Sequence, residues 1–548
     1  MTNRELSRAS VFLASGTVVS RALGFIRAIV LAAVIGLVGS ASADAFAVAN
    51  QLPNTIYAIV AGGVLSAVLV PHIVSASSNP DGGAGYINKL LTISLVLLAG
   101  TTLLATLAAP LLTFAYGTQL NPETLALATA FAWWCLPQIF FYGLYSLFGE
   151  VLNARKLFGP FTWAPVLNNL VAIIGLGVMA YLYGSDPMGL REAGDWTGGM
   201  IATLAGTATF GVAAQALILL LFWRRIDMRF RFDFRWRGVG LGRAGKTAGW
   251  TFGMLLLTTF AGLIEVNVVG LASNTEGAAS VAALNNAWLI FMLPHSIIAV
   301  SIGTAFFTRM SEHAATGDTE ALRADLRGSL RAIVVAMTLA AAVVAACSSA
   351  MAAVFMPLAE REDSASAIAA FALIICAFVV GLVPFSALFL VQRAFYAMHD
   401  TKTPFAYTLI QVLVFSCLAL AAALAPDEWI AVAIAGAMSL AGVVQLLAAL
   451  WLLRRKIGSL ELGPVWQTFG RSLLAAAVAL VPGVATLALL GANPWQPGFA
   501  LESRWSAIVG MLAAGSVMAL CYLGVLTLLR APEIAELRQL RSRGGAAE

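Results

Sequence analysis

Apolar runs of about twenty to thirty residues, divided by short polar clusters, recur along the whole chain. Each run is long enough to cross a bilayer as a helix. Counting them gives about fourteen spans: roughly 9–37, 44–76, 87–116, 122–153, 160–184, 197–223, 245–272, 278–308, 329–357, 364–397, 404–425, 427–453, 468–491 and 505–529. No long polar stretch remains for a soluble domain. The pattern predicts an all-α polytopic membrane protein.

Two pairs of segments within this pattern match each other. "LPNTIYAIVAGG" (52–63) aligns without gaps on "LPHSIIAVSIGT" (293–304), an offset of 241. "LNARKLFGPF" (152–161) resembles "FYAMHDTKTPF" (395–405), with Ala154 over Ala397 and Pro160 over Pro404. That spacing covers six spans, and an even number keeps the direction across the membrane, so the halves are expected to be parallel repeats. The expected organisation is an N-lobe (1–225), a cytoplasmic amphipathic linker (226–244), a C-lobe (245–456), a helix pair (466–530) and a cytoplasmic tail (531–548). Two six-helix lobes about a central cavity are the architecture of an alternating-access carrier.

Composition sharpens this picture. The 548 residues are 60% hydrophobic and 11% charged, with mean hydropathy +0.88. Soluble domains sit near about 45–50% and about 25%. The basic clusters Arg224–Lys246, Arg309–Arg331, Arg454–Lys456 and Arg530–Arg543 all fall on the side that holds both termini, whereas the opposite loops carry Arg191, Arg361 and Arg504. By the positive-inside rule both termini are cytoplasmic. The net charge of +5 reflects this asymmetry and gives no sign of nucleic-acid binding.

"RRIDMRFRFDFRWRG" (224–238) alternates, with Phe230, Phe232, Phe234 and Trp236 against Arg229, Arg231 and Arg235. Two readings stand: a topology determinant alone, or a segment resting on anionic lipid. Arg4 and Arg8 before an apolar run, with "ASA" at 41–43, imitate a signal peptide. The run is too long and too polar for one, and reads as the first span. The cysteines (Cys135, Cys347, Cys376, Cys417, Cys521) lie within spans without CxxC spacing, and read as packing residues.

That first span carries the sharpest signal. "SRALGFIRAIVLAAVIG" (20–36) places Arg21 and Arg27 where an arginine costs about 2.5–3.5 kcal/mol. Each lies three residues from Gly24, and Gly16, Ser20 and Gly24 form a small-residue stripe between them. Along the helix they stand roughly 18 Å and roughly 27 Å from its cytoplasmic end. They are expected to flank a groove and converge on one anion, phosphate above all. The competing reading is structural ion pairs with Asp44, Glu150 or Glu265. Glu265 either carries a coupling ion (sodium or a proton) or neutralises an arginine. His295, after a proline, reads as a packed histidine. No Walker loop, HExxH, GxSxG or His–carboxylate cluster occurs, so no enzyme activity and no cofactor are expected. The driving force is then a coupling ion or the membrane potential.

Four stretches resemble the MurJ/MviN lipid II flippases of the MOP exporter superfamily: "SRALGFIR" (20–27), "DAFAVANQLPN" (44–54) with "GGVLSAVLVP" (62–71), "LNARKLFGPFTWAPVLNN" (152–169) and "RAFYAMHDTKTP" (393–404). The resemblance implies a bacterial inner-membrane flippase. Its substrate would be undecaprenyl-pyrophosphate carrying a disaccharide-pentapeptide, moved to the outer leaflet, with cell-wall synthesis or division proteins and membrane lipids as partners. It implies substrate contacts at Arg21, Arg27, Ser20, Gly24, Asp44 and Asn54. The repeat makes the LP turns at Pro53 and Pro294 matched gating elements, expected to frame the cavity from opposite sides. Asn153, Asp400 and Pro404 fall in gating or structural motifs, and the resemblance implies a lipid-tail groove at the last helix pair.

The chain departs from the family's pattern where many members carry charge, at Tyr57, Leu289 and Met292. The cavity is thus expected to be less charged, leaving more of the anion binding to the first span. The alternatives are a flippase for another lipid-linked oligosaccharide, a MATE-like drug or cation antiporter, and a non-transporting scaffold.

Overall fold

The structure, a computed structural model, describes residues 3–61, 84–155, 157–223, 225, 230–234, 241–275, 277–356 and 361–533. Among them, thirteen helices are long and apolar enough to cross a membrane. The remaining expected span, 44–76, is described as far as 61, and "GGVLSAVLVP" lies outside the described residues. The chain forms two compact units, 1–274 and 275–548.

In the first unit, α1 (Asn3–Ile35) turns into α2 (Ala41–Val60) through a five-residue corner. Gly36, at φ +82°, takes the left-handed conformation that ends α1. Ser40 then caps α2 by accepting from the Ala43 amide at 3.1 Å. There follow α3 (Ala84–Leu107), α4 (Pro122–Cys135), α5 (Gln138–Ala154), α6 (Phe158–Tyr183), α7 (Thr207–Leu217) and α8 (Leu241–Gly270). Both α1 and α7 pack along α6. Gly175 meets Thr207 and Gly211 meets Asn168 closely enough that an added Cβ would collide. Small residues let membrane helices approach in this way, since no hydrophobic force drives them together. Leu90, Leu91, Leu98, Leu147 and Leu219 fill the core beside them. α8 belongs to this unit, its Asn267 side chain donating to the Ala115 carbonyl at 2.8 Å.

Of the alternating linker, residues 230–234 are extended along α3. The Arg231 amide donates to Asn88 Oδ1 at 3.3 Å and the Asp233 amide to Thr92 Oγ1 at 3.0 Å. Phe230, Phe232 and Phe234 line up as a ladder of rings, 4.9 and 6.2 Å apart. Phe232 and Phe234 are exposed, and so is Arg231. Arg229, Arg235 and Trp236 lie outside the described residues.

The second unit contains α9 (Val281–Pro294), α10 (Val300–Thr316), α11 (Thr319–Ala346), α12 (Arg361–Val379), α13 (Leu382–Ala397), α14 (Lys402–Ala422), α15 (Asp427–Ile457), α16 (Gly463–Leu489) and α17 (Arg504–Leu528). The expected LP turns are not turns. Pro53 lies inside α2, and Pro294 ends α9, which continues through a π-helical turn, His295–Ala299, into α10. A proline within a helix removes one donor and crowds the preceding carbonyl, and a local widening to π geometry absorbs this. His295 is packed, as expected: its ring is buried against Phe385 and Phe389, with Nδ1 3.0 Å from Ser386 Oγ.

The α16–α17 pair is bound to the rest of the unit through α11. Arg323, Arg327 and Arg331 succeed each other by one turn on α11. Arg323 donates to the Ile457 carbonyl, Arg327 to Glu461 at 2.8 Å, and Arg331 to Glu533 at 2.8 Å. Glu533, just beyond α17, is buried and also accepts from Thr468 on α16 at 2.5 Å. Burial alone would raise its carboxyl, but the Thr468 and Arg331 bonds hold it below the usual carboxylate range.

Candidate functional site

Arg27 faces a cavity inside the first unit. Leu31 of α1, Phe46 and Asn50 of α2, Ala172 and Leu176 of α6, Leu204 of the π-helical turn Ala202–Gly206, and Thr207 and Ala208 at the start of α7 complete its wall. The cavity holds about 30 Å³, room for about one or two waters. Arg27 lies about 12 Å short of Ile35, the end of α1. The charge therefore stands well inside the apolar span. Among the described residues Arg27 forms no ion pair. The ion-pair reading with Asp44, Glu150 or Glu265 thus fails for Arg27, and it fails for Arg21 as well.

A chain of uncharged polar side chains backs this wall. Gln138, buried at the start of α5, donates to Thr209 Oγ1 at 3.0 Å and, more weakly, to Asn50 Oδ1 at 3.4 Å. Its Oε1 accepts from the Tyr142 hydroxyl at 3.2 Å. Tyr57 packs on Tyr142 with ring centroids 5.8 Å apart and planes tilted by 36°. Tyr57 is thus built into an uncharged polar network that reaches the cavity wall through Asn50. Asn50, Gln138, Tyr142 and Thr207 are missing from the sequence-based set. Isolated amides and phenols within apolar runs were the available signal.

The small-residue stripe does not form the open groove expected of it. It is the seat of α6. Trp163 covers Gly16, Asn169 Nδ2 donates to the Ser20 carbonyl at 2.9 Å, and the same amide stands 3.7 Å from where a Gly24 Cβ would lie. Arg27 and Arg21 emerge on either side of that contact. Arg21 is half-buried and lies outside the cavity wall.

The other sequence-derived residues separate into distinct roles. Asp44 is buried in the first turn of α2, where the helix dipole favours an acid, and lies outside the wall. Asn54, exposed, is one turn beyond Asn50 on the same face of α2. Glu265 is half-buried on α8 with no hydrogen-bond or ion-pair partner among the described residues. Asn153 ends α5 with a buried, unpaired Oδ1. Asp400 fixes the corner before α14, accepting from Thr403 N at 3.0 Å, Thr403 Oγ1 at 2.6 Å and Lys456 Nζ at 2.5 Å. Burial would raise its carboxyl, and those bonds hold it below the usual range. Pro404 is buried in the first turn of α14. Leu289 and Met292 are half-buried on α9. No group of three metal-ligating side chains occurs among the described residues.

The family model described as "Lipid II flippase MurJ" matches residues 31–504. The chain belongs to the MurJ family of lipid II flippases. It is similar to a probable lipid II flippase MurJ of Synechocystis sp., at 24% identity over 541 residues, with 97% of this chain and 96% of that protein covered. A lipid II flippase MurJ of Burkholderia cenocepacia is 25% identical over 491 residues, covering 87% and 89%.

Among solved structures, a lipid II flippase MurJ in an inward closed conformation superposes with a TM-score of 0.72 at 18% identity, covering 96% of this chain and all of that one. An inward-facing multidrug MATE transporter of the MOP superfamily superposes with a TM-score of 0.58 at 14% identity, covering 78% and 96%. These likenesses show the fold: a multi-pass, all-α architecture like that of those MurJ and MATE structures. Arg21 and Arg27 precede the stretch matched by the family model, so their roles are argued from their own surroundings.

Proposed function

We propose that the chain flips lipid II from the inner to the outer leaflet by alternating access, with Arg27 engaging the pyrophosphate. The observation that carries this is an arginine well inside a membrane span, without an acidic partner among the described residues, lining a cavity with Asn50 and Thr207. A guanidinium fork and neutral hydrogen-bonding groups suit phosphate, whose charge must be met when water is stripped away. At about 30 Å³ the cavity takes one phosphoryl edge, and the rest of the headgroup stays outside it. Arg21, across the α1–α6 contact, contributes charge from the other side of α1.

In this reading both termini are cytoplasmic, as the basic loops require. The driving force is the membrane potential. If the arginines neutralise the loaded headgroup, a potential negative inside acts on the empty carrier, drawing its two positive charges back at about 2.3 kcal/mol per charge per 100 mV. Glu265, half-buried and unpartnered among the described residues, is the remaining candidate for a coupling ion. Proteins of cell-wall synthesis or division would meet the basic cytoplasmic loops.

Expression in a bacterium depleted of its own flippase tests the reading. Wild type should restore growth, and Arg27→Ala and Arg21→Ala should fail. Full rescue by both variants at normal expression would place the site elsewhere. The second reading, drug or cation antiport, is favoured by the MATE likeness alone. It predicts drug tolerance without rescue.

A further inference from the structure

The second unit holds another arginine whose surroundings call for an anion. Arg393 lies on α13, four residues before the end of its span at Ala397, and so about 6 Å in from that end. Its guanidinium carbon stands 4.8 Å from the ring centroid of Phe389, one turn back on the same helix, and 5.1 Å from that of Phe307 on α10. Phe389 is itself held in place, closing on Gly303 and packing 5.5 Å from the buried His295. The two rings cover the guanidinium and fix its orientation, which directs its binding capacity to the N–H edge.

Among the described residues Arg393 has no carboxylate partner, and its nitrogens are not sealed from the surface. The half-buried arginines of α11 differ, each pairing with an acid: Arg323 with Glu320, Arg327 with Glu320 and Glu461, Arg331 with Glu533. Arg471, half-buried on α16 and also without an acid among the described residues, has no aromatic frame. One turn beyond Arg393, the Tyr396 hydroxyl accepts from Gln392 Nε2 at 2.9 Å, which leaves its proton free to donate.

We propose that Arg393, framed by Phe307 and Phe389 and assisted by Tyr396, binds the phosphate of a lipid at the end of this span. A half-buried cation at leaflet depth needs a counter-charge, and lipid phosphate is the anion found there. The lipid is either the transported pyrophosphate, which rests on the function proposed above, or an anionic phospholipid of the leaflet.

Native mass spectrometry of the full chain, released from phosphatidylcholine nanodiscs, separates these sources when either undecaprenyl pyrophosphate or phosphatidylglycerol is titrated in. Arg393→Gln should weaken binding on the order of tenfold, the loss of a charge-assisted contact. Arg393→Lys, which keeps the charge but not the stacked plane, should fall between. A loss confined to undecaprenyl pyrophosphate identifies the transported lipid, and a loss for phosphatidylglycerol identifies a leaflet lipid. Unchanged affinity for both in Arg393→Gln overturns the site.

If Arg393→Gln misfolds, Phe307→Leu decides. It keeps the charge but loosens the frame, and should weaken binding a few-fold, whereas unchanged binding overturns the proposal. Should the wild type bind no undecaprenyl pyrophosphate at all, the transport reading falls, and the phosphatidylglycerol titration alone judges Arg393.

Discussion

Adding one methyl group to either of two glycines of α1 separates a packing seam from a ligand groove. At Gly16 the new Cβ would lie 2.8 Å from Trp163 Nε1 and 3.0 Å from Trp163 Cδ1. Trp163 is half-buried and can yield only in part. Such overpacking costs about 1–3 kcal/mol, against a gain of up to about 1 kcal/mol in helix propensity. Gly16→Ala should therefore destabilise by about 1–2 kcal/mol. At Gly24 the nearest atom is Asn169 Nδ2 at 3.7 Å, an ordinary contact. Gly24→Ala should be neutral or stabilising by up to about 1 kcal/mol.

Melting of the purified full chains, alongside rescue of flippase-depleted cells, reads both effects. The seam predicts a lower melting temperature for Gly16→Ala, with stability and rescue intact for Gly24→Ala. Loss of rescue in a stable Gly24→Ala protein would refute it and return Gly24 to a ligand groove.

Two further outcomes follow from named contacts. Glu533 has a folded-state pKa below its unfolded value, so its bond to Arg331 and Thr468 stabilises the protein above about pH 4.3. That contribution disappears as pH falls through the folded value. Glu533→Gln should cost about 1–3 kcal/mol at pH 7, and its gap in melting temperature from wild type should close on acidification; a gap that persists at low pH refutes the role assigned to the carboxylate. For coupling, lipid II flipping in vesicles should fall when valinomycin and balanced potassium clamp the potential at zero. Undiminished flipping that follows sodium and is lost in Glu265→Gln would make Glu265 the coupling site instead.

What could be read from sequence follows from what each residue needs. Spans are legible because a bilayer demands uninterrupted apolar length, and Arg27 is legible because a charge within one is costly. Which helix fills the face between Arg21 and Arg27 is a tertiary fact. Gly16, Ser20 and Gly24 have the spacing of a close helix contact as much as of a groove, and Trp163 and Asn169 decide between them.

Pro53 and Pro294 imitate turns because proline breaks helices in water. Within spans the helix continues, through Pro53 as an α-helix and beyond Pro294 with a local widening. Asn50, Gln138 and Tyr142 escaped notice because each is an unremarkable polar residue in an apolar run. Only their meeting beside Arg27 gives them a role. The resemblance in "SRALGFIR" singles out α1, and there the structure sets the two arginines apart: Arg27 lines the cavity and Arg21 does not.

The central claim is that Arg27 meets the pyrophosphate during flipping. The most direct measurement is initial flipping rate in proteoliposomes loaded with lipid II on one leaflet, comparing wild type, Arg27→Lys and Arg27→Ala at matched reconstitution. Loss of a charge-assisted phosphate contact of about 1.5–3 kcal/mol predicts a rate lower by about ten- to a hundredfold in Arg27→Ala, with Arg27→Lys between the two. Equal rates in all three proteins would contradict the account.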